Sequence, residues 1–232
     1  MPAPYKHIFF DLDHTLWDFE KNCAETLLEL YHAHSLHKHS SFGAEEFVSA
    51  YQLVNKQLWK DFHSGKLDKG YIRQMRFIFT FEQLGLKEED VPANLEEQFL
   101  RICPAKSNVL PHAHEVLTYL KEKYTLHIIT NGFYDIQNIK LSAARLGGYF
   151  SEIINSESCG YMKPDKRIFQ FSLDKAKATP QECIMIGDDL EADVVGARNA
   201  GLDQVFFNPK QKPHTEEISY EINSLKELLD IL

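Results

Sequence analysis

The chain has 232 residues, 44% of them hydrophobic and 25% charged, with a formal net charge of −9. That balance suits a soluble globular protein with a sizeable core, and the length allows one large domain or a domain with a smaller companion. The acidic surplus argues against a nucleic-acid polymer or an anionic membrane as partner, yet leaves room for one phosphate in a locally positive pocket.

The apolar run Ile8-Phe9-Phe10 reads as a short buried strand. It leads straight into Asp11-Leu12-Asp13-His14-Thr15-Leu16, where two carboxylates one residue apart point to the same side of an extended chain. Two anions that close repel, the more so when buried, so one must meet a cation or hold a proton. The pair therefore reads as a site. Asp18 then suits an N-cap, and Phe19, Cys23, Thr26, Leu27, Leu30 and Tyr31 recur at helical spacing. The pattern breaks between residues 37 and 43. A second helix presents Phe47, Tyr51, Val54, Leu58 and Phe62, ending near Gly65. A third runs from Asp68 to Leu84 with Gly85 as its C′ residue, and a fourth from Pro92 to Ile102. No strand pattern interrupts this block.

From Leu110 the pattern alternates. A helix entered at Pro111 carries Ala113, Val116, Leu117 and Leu120, followed by the strand Leu126–Ile129 and the polar turn Thr130-Asn131-Gly132. Next come a helix from Tyr134 to Leu146, a strand at Glu152–Ile154, a loop with Lys163-Pro164, and a helix from Asp165 to Lys177. The strand Cys183–Ile186 ends at Gly187-Asp188-Asp189. A helix from Leu190 to Asn199, the strand Gln204–Phe207 and a last helix capped at Ser224 complete the chain. Alternating strands and helices imply right-handed crossovers and a parallel sheet covered on both faces. The expected architecture is an α/β, Rossmann-like, doubly wound core made of residues 1–17 and 106–232, with an all-helical insert at 18–105. The four cysteines, Cys23, Cys103, Cys159 and Cys183, form no C-x-x-C pair, which fits a reducing compartment. The first six residues show no apolar leader, and no run is long enough to span a bilayer, so a cytoplasmic location is expected.

In such a sheet, ligands sit beyond the carboxyl ends of the strands. Asp11, Asp13, Thr130, Asn131, Asp188 and Asp189 all follow strands, and Lys163 lies in a loop able to reach the same edge. A carboxylate can attack phosphorus to give an aspartyl phosphate. Several carboxylates at one edge need a hard cation, and an all-oxygen site suits magnesium.

The ordered set Asp11-Leu12-Asp13-His14-Thr15, Thr130-Asn131-Gly132, Lys163-Pro164 and Gly187-Asp188-Asp189-Leu190-Glu191-Ala192-Asp193 resembles the four motifs of haloacid-dehalogenase-superfamily phosphatases. The insert resembles that family's helical cap. The stretches from Asp11 to Phe19 and from Ile129 to Phe133 look most like the YjjG-type pyrimidine nucleotide 5′-phosphatase branch. The resemblance implies a magnesium-dependent phosphatase for a small-molecule phosphate ester, a nucleoside 5′-monophosphate in particular, working as a monomer or homodimer. It implies Asp11 as nucleophile and Asp13 as the acid that protonates the leaving oxygen and then activates water. It implies Thr130 and Asn131 on the phosphoryl group and Lys163 as charge stabiliser. Magnesium would lie on the Asp11 side chain, the Asp13 carbonyl and Asp188. Asp193 would support the metal from behind, and Asp189 would cap the next helix or lie behind the metal. Trp17 and Phe133 stand as candidates for the substrate pocket, with Phe19, Trp59 and Phe77 as further aromatics that serve either a base or the core.

Competing readings are a phosphatase of a sugar phosphate or phosphoglycolate, a phosphomutase, and a catalytically silent binding protein on the same fold. A dehalogenase is disfavoured by Asp13 and by the acidic fourth motif. The histidines His32, His34, His37 and His39 straddle a helix end with no Cys or carboxylate at ligand spacing, and read as a solvated terminus rather than a metal site.

Overall fold

The computed structural model describes residues 5–38 and 42–232. The first four residues and His39 lie outside the described set. The chain divides into two compact units, Met1–Phe19 with Ser107–Leu232, and Glu20–Lys106.

The first unit is built on six parallel strands: β1 (His7–Phe10), β2 (Thr125–Thr130), β3 (Phe150–Asn155), β4 (Cys183–Gly187), β5 (Asp203–Phe207) and β6 (Tyr220–Ile222), in the order β3-β2-β1-β4-β5-β6. Strand β1 is central. Phe10 registers with Ile128 of β2 on one side and Ile186 of β4 on the other. The chain winds outward from β1 through β2 to β3, then returns to lay β4 against the opposite edge of β1. That reversal opens the crevice in which a doubly wound sheet binds ligands.

Strand β1 is buried from Ile8 to Phe10 and β4 along its length, as strands covered on both faces must be. On one face Phe9, Ile129, Ile154 and Met185 pack against Ile168, Phe169 and Leu173 of the helix Lys166–Ala176. The strand β6 escaped the sequence reading because three residues with one buried apolar side chain carry little periodic signal.

The second unit is helical: α1 (Phe19–Ala33), α2 (Ala44–His63), α3 (Lys69–Gln83) and α4 (Leu95–Ile102). Asp68 caps α3, its Oδ1 accepting from Tyr71 N at 2.7 Å, and Gly85 follows the helix at φ 78°. Helix α4 starts three residues later than Pro92 because Asn94 takes a left-handed conformation, φ 66°. Its core is aromatic, with Phe77 and Phe99 at 5.6 Å and Tyr51 and Phe99 at 5.1 Å between ring centroids. Phe77 therefore belongs to that core. Arg76 is buried there, donating to Glu96 and to Asn55 Oδ1 at 3.3 Å, with its guanidinium 4.7 Å from the Phe99 ring centre. Among the described histidines, His34 meets Gln98 and His37 lies near Tyr31, and none joins a metal-ligating cluster. No described helix is long and apolar enough to cross a membrane.

One buried group makes the fold pH-sensitive at a distance from the strand ends. His127, only 1% exposed on β2, stacks between His7 and Phe9, and its Nε2 lies 3.1 Å from His7 Nδ1. Burial, and then the charge of His7, lowers its pKa from 6.5 to about 4. A histidine kept neutral by folding stabilises the protein fully above its unfolded pKa, and that contribution is lost as pH falls toward the folded one. Urea unfolding should therefore lose up to about 3 kcal/mol between pH 6.5 and 4 on account of this group. The loss should be measurably shallower in His127→Phe; an identical pH profile in the two proteins would contradict this account.

Candidate active site

The polar residues that follow β1, β2 and β4 meet at one edge, and a single lysine ties them. Lys163 sits after a loop whose backbone is clamped by Asn131: Lys163 N donates to Asn131 Oδ1 at 2.8 Å, and Asn131 Nδ2 donates to Lys163 O at 2.9 Å. The Lys163–Pro164 bond is cis. So placed, the Lys163 ammonium donates to Asp11 Oδ1 at 2.6 Å, Asp193 Oδ1 at 2.6 Å and the Ile129 carbonyl at 2.8 Å. All three donor hydrogens are used. Lys163 is 3% exposed and Asp193 1%.

Asp11 leaves β1 with its N–H on Ile186 O at 2.9 Å, so the central strand pair fixes its backbone. The chain then turns sharply. His14 adopts φ 64° and bonds Trp17 O, while Leu16 and Trp17 return N–H bonds to Leu12 O. The turn sends Thr15 back toward the edge, where its hydroxyl donates to Asp188 Oδ1 at 3.3 Å.

Asp189 caps the segment after β4, its Oδ1 accepting from Glu191 N and Ala192 N. That segment, expected as one α-helix, opens as a π-helical turn, Leu190–Val195, before a short α-helical turn, Gly196–Asn199. Asp189 O receives both Asp193 N at 2.9 Å and Val194 N at 3.3 Å, which widens the turn where Asp193 points inward. Gly187 makes the approach feasible. A Cβ there would lie 2.1 Å from Asp193 Oδ2.

The charges do not balance. Carboxylate oxygens of Asp11, Asp188 and Asp193 lie within 4.8 Å of one another, with one ammonium among them. Burial pushes the Asp11 carboxyl above its usual range despite the pull of Lys163. Burial, then the charges of Asp11 and Asp193, push Asp188 well up. Burial carries Asp193 to about 7 against the attraction of Lys163. On Lys163 burial acts the other way, yet Asp11 and Asp193 hold its proton more firmly than usual. A crowded, buried, all-oxygen anionic group with a surplus of negative charge is the donor set a hard divalent cation fits.

Asp13 has different surroundings. Lys140 Nζ donates to its Oδ1 at 2.6 Å, and Gln137 Nε2 to its Oδ2 at 2.9 Å. Burial raises its pKa, but the Lys140 charge and these hydrogen bonds outweigh that, and the net position lies below the ordinary carboxylate value. Gln137 Nε2 also donates to Thr130 Oγ1 at 2.7 Å, and Gly132 N donates to the same oxygen at 3.1 Å. Gln137 and Lys140 lie on the helix Tyr134–Ala143 and were missed in the sequence. The signal was two long polar side chains, four residues and one residue before Leu141, on the face that the helix buries.

Trp17 corrects the expectation that it walls the substrate pocket. It is fully buried, and its ring carries the Lys140 ammonium 4.5 Å from its centre, with Phe19 edge-on at 6.2 Å. It supports a cation rather than offering an open face. Phe133 is buried at the entry to the same helix.

Comparison with known proteins matches residues 5–201 to the model of a hydrolase family, the haloacid dehalogenase-like hydrolases. The chain is 32% identical to the pyrimidine 5′-nucleotidase YjjG of Escherichia coli, covering 97% of this chain and 96% of that protein. It is also 32% identical to the pyrimidine 5′-nucleotidase PynA of Streptococcus pneumoniae, covering 98% and 95%. Among solved structures, the magnesium-bound HAD-hydrolase YfnB of Bacillus subtilis superposes with a TM-score of 0.86 at 28% identity, over 98% of each chain.

The clamp on Lys163 predicts that Asn131→Ala frees the loop while leaving the sheet intact. Turnover should fall by about 10²-fold, the order lost when a catalytic group drifts by about 1 Å, and far-ultraviolet circular dichroism should be unchanged. Activity within a few-fold of the parent would show that Lys163 is placed without the clamp.

Proposed function

The chain belongs to the haloacid dehalogenase-like hydrolases and is a phosphoric monoester hydrolase, and from that premise we propose that it cleaves nucleoside 5′-monophosphates, pyrimidine ones by preference, through a phosphorylated Asp11. The observation that carries the reading is the buried Lys163 bridge between Asp11 and Asp193 at the end of the central strands. It fixes a carboxylate where an anionic ester can be met by positive charge.

Asp11, Asp188 and the Asp13 carbonyl would hold magnesium, with Asp193 behind them on Lys163. The ion supplies the charge that lets an anionic nucleophile approach an anionic ester. Thr130 accepts two hydrogen bonds, from Gly132 N and Gln137, so its own hydroxyl proton is left to donate to a phosphoryl oxygen. In the first half-reaction an Asp11 oxygen bonds to phosphorus. The bond to the ester oxygen breaks, and that oxygen takes a proton from Asp13. In the second, Asp13 takes a proton from water. The water oxygen bonds to phosphorus, and the Asp11–phosphorus bond breaks to return the carboxylate and release phosphate. Asp13 must bear a proton at the start, although Lys140 holds the free carboxyl ionised. The incoming phosphate charge opposes Lys140 and raises its affinity for that proton. The helical insert at 18–105 is assigned as the cap that sets specificity. The two pyrimidine nucleotidases support the choice of substrate class.

Phosphate release tests this across nucleoside monophosphates, sugar phosphates, phosphoglycolate and an aryl phosphate, with magnesium and with chelator. Pyrimidine monophosphates should lead, activity should vanish on chelation, and Asp11→Asn should fall by more than about 10³-fold. A preference for sugar phosphates would discard the nucleotidase assignment, and a near-normal Asp11→Asn would discard the covalent step.

A further inference from the structure

Asp13 has to change roles within one turnover, first giving a proton and then taking one, without moving off the reacting atoms. Neither of its oxygens is left to solvent to orient. Lys140 holds Oδ1 at 2.6 Å and Gln137 holds Oδ2 at 2.9 Å. Both holders stand on the helix Tyr134–Ala143, one turn apart, and both are buried. Lys140 is itself braced, over the Trp17 ring at 4.5 Å and the Phe19 ring at 5.8 Å.

Gln137 does more than hold a carboxylate. Its amide nitrogen has two hydrogens, and two contacts consume them: one on Asp13 Oδ2, the other on Thr130 Oγ1. One side chain therefore spans the proton-transfer group and the phosphoryl-binding hydroxyl. Among the described residues its buried amide oxygen has no hydrogen-bond partner, a cost that a residue selected for packing alone would not carry. Gly132 completes the arrangement. A Cβ at that position would lie 2.0 Å from Gln137 Nε2 and 2.4 Å from Cδ, so the turn after β2 needs glycine to admit the amide.

We propose that Gln137 and Lys140 are positioning residues for the hydrolysis, holding Asp13 in line with both proton transfers, and that Gln137 couples that alignment to the phosphoryl-binding Thr130. The inference rests on the two-step reading above. It separates this pair from residues that merely fill the core, because misplacing Asp13 harms a reaction in proportion to the need for proton transfer. Departure of an alkoxide needs the proton from Asp13. Departure of a stable aryl oxide hardly does. Attack of water on the phosphorylated Asp11 needs Asp13 as base whatever the ester was.

The test is rapid-quench kinetics on the full-length protein with magnesium, comparing a nucleoside monophosphate with an aryl phosphate that has a good leaving group. In Gln137→Leu, the first turnover of the nucleotide should slow by about 10²-fold. The aryl ester should instead give a fast burst of one equivalent of aryl oxide, followed by slow steady turnover as the phosphorylated enzyme accumulates. Lys140→Met should give the same pattern, and Lys140→Arg, which keeps the charge and the donors, should restore the parent pattern to within a few-fold. Equal losses on both esters with no burst, or no loss, would overturn the proposal. If Gln137→Leu does not fold, the Lys140 pair decides the question. A parent enzyme that releases phosphate without any phosphorylated form would indict the two-step reading itself, an outcome distinct from failure of the positioning role.

Discussion

The buried ammonium of Lys163 is the contact on which the site depends. A cation so deep in a protein is tolerated only when fully partnered. Here its three donors are spent on Asp11, Asp193 and the Ile129 carbonyl. Each partner comes from the end of, or just after, a different strand, so one charge joins β1, β2 and the segment after β4. Removing it would leave two buried carboxylates facing each other. Even with it in place, Asp188 adds a third anion with the Thr15 hydroxyl beside it. The site is built with a negative surplus, and a bound cation would complete it.

The sheet order explains why these groups converge. Strand β1 lies between β2 and β4, so the residues after those three strands emerge side by side at the crevice. Two glycines let side chains crowd there, Gly187 for Asp193 and Gly132 for Gln137. Around them two electrostatic compartments form within one site. In one, Lys163 is shared among an excess of carboxylates. In the other, Lys140 and Gln137 hold a single carboxylate from both sides. Neighbouring aspartates, Asp11 and Asp13, are thereby given opposite environments, one pushed above and one below the ordinary range. That order is the reverse of the one a nucleophile and an acid need: a bound cation would lower Asp11, and the charge of an incoming phosphate would raise Asp13.

Much of this was legible in the sequence because strand ends are. Short apolar runs followed at once by Asp, Thr or Asn mark both the sheet and its functional edge, and the parallel order follows from the alternation of strands and helices. The capping role of Asp189 was readable too, from its place before a helical run. What was hidden lay in helices and turns. Gln137 and Lys140 look like ordinary solvated helix positions until the partner strand is known. Trp17 follows the first motif directly, yet the tight turn at His14 carries its ring inward, beneath Lys140. The π-helical turn at 190–195 has no periodic signature, since one displaced hydrogen bond leaves the apolar pattern intact.

The central claim is that Asp11 is phosphorylated during turnover. Acid quench of the parent enzyme within the first turnover of an aryl phosphate, followed by peptide mass mapping, tests it most directly. The account predicts a phosphate adduct on Asp11, absent when chelator is added before substrate. An adduct on another residue, or phosphate released in that turnover from enzyme that never carries one, would contradict it.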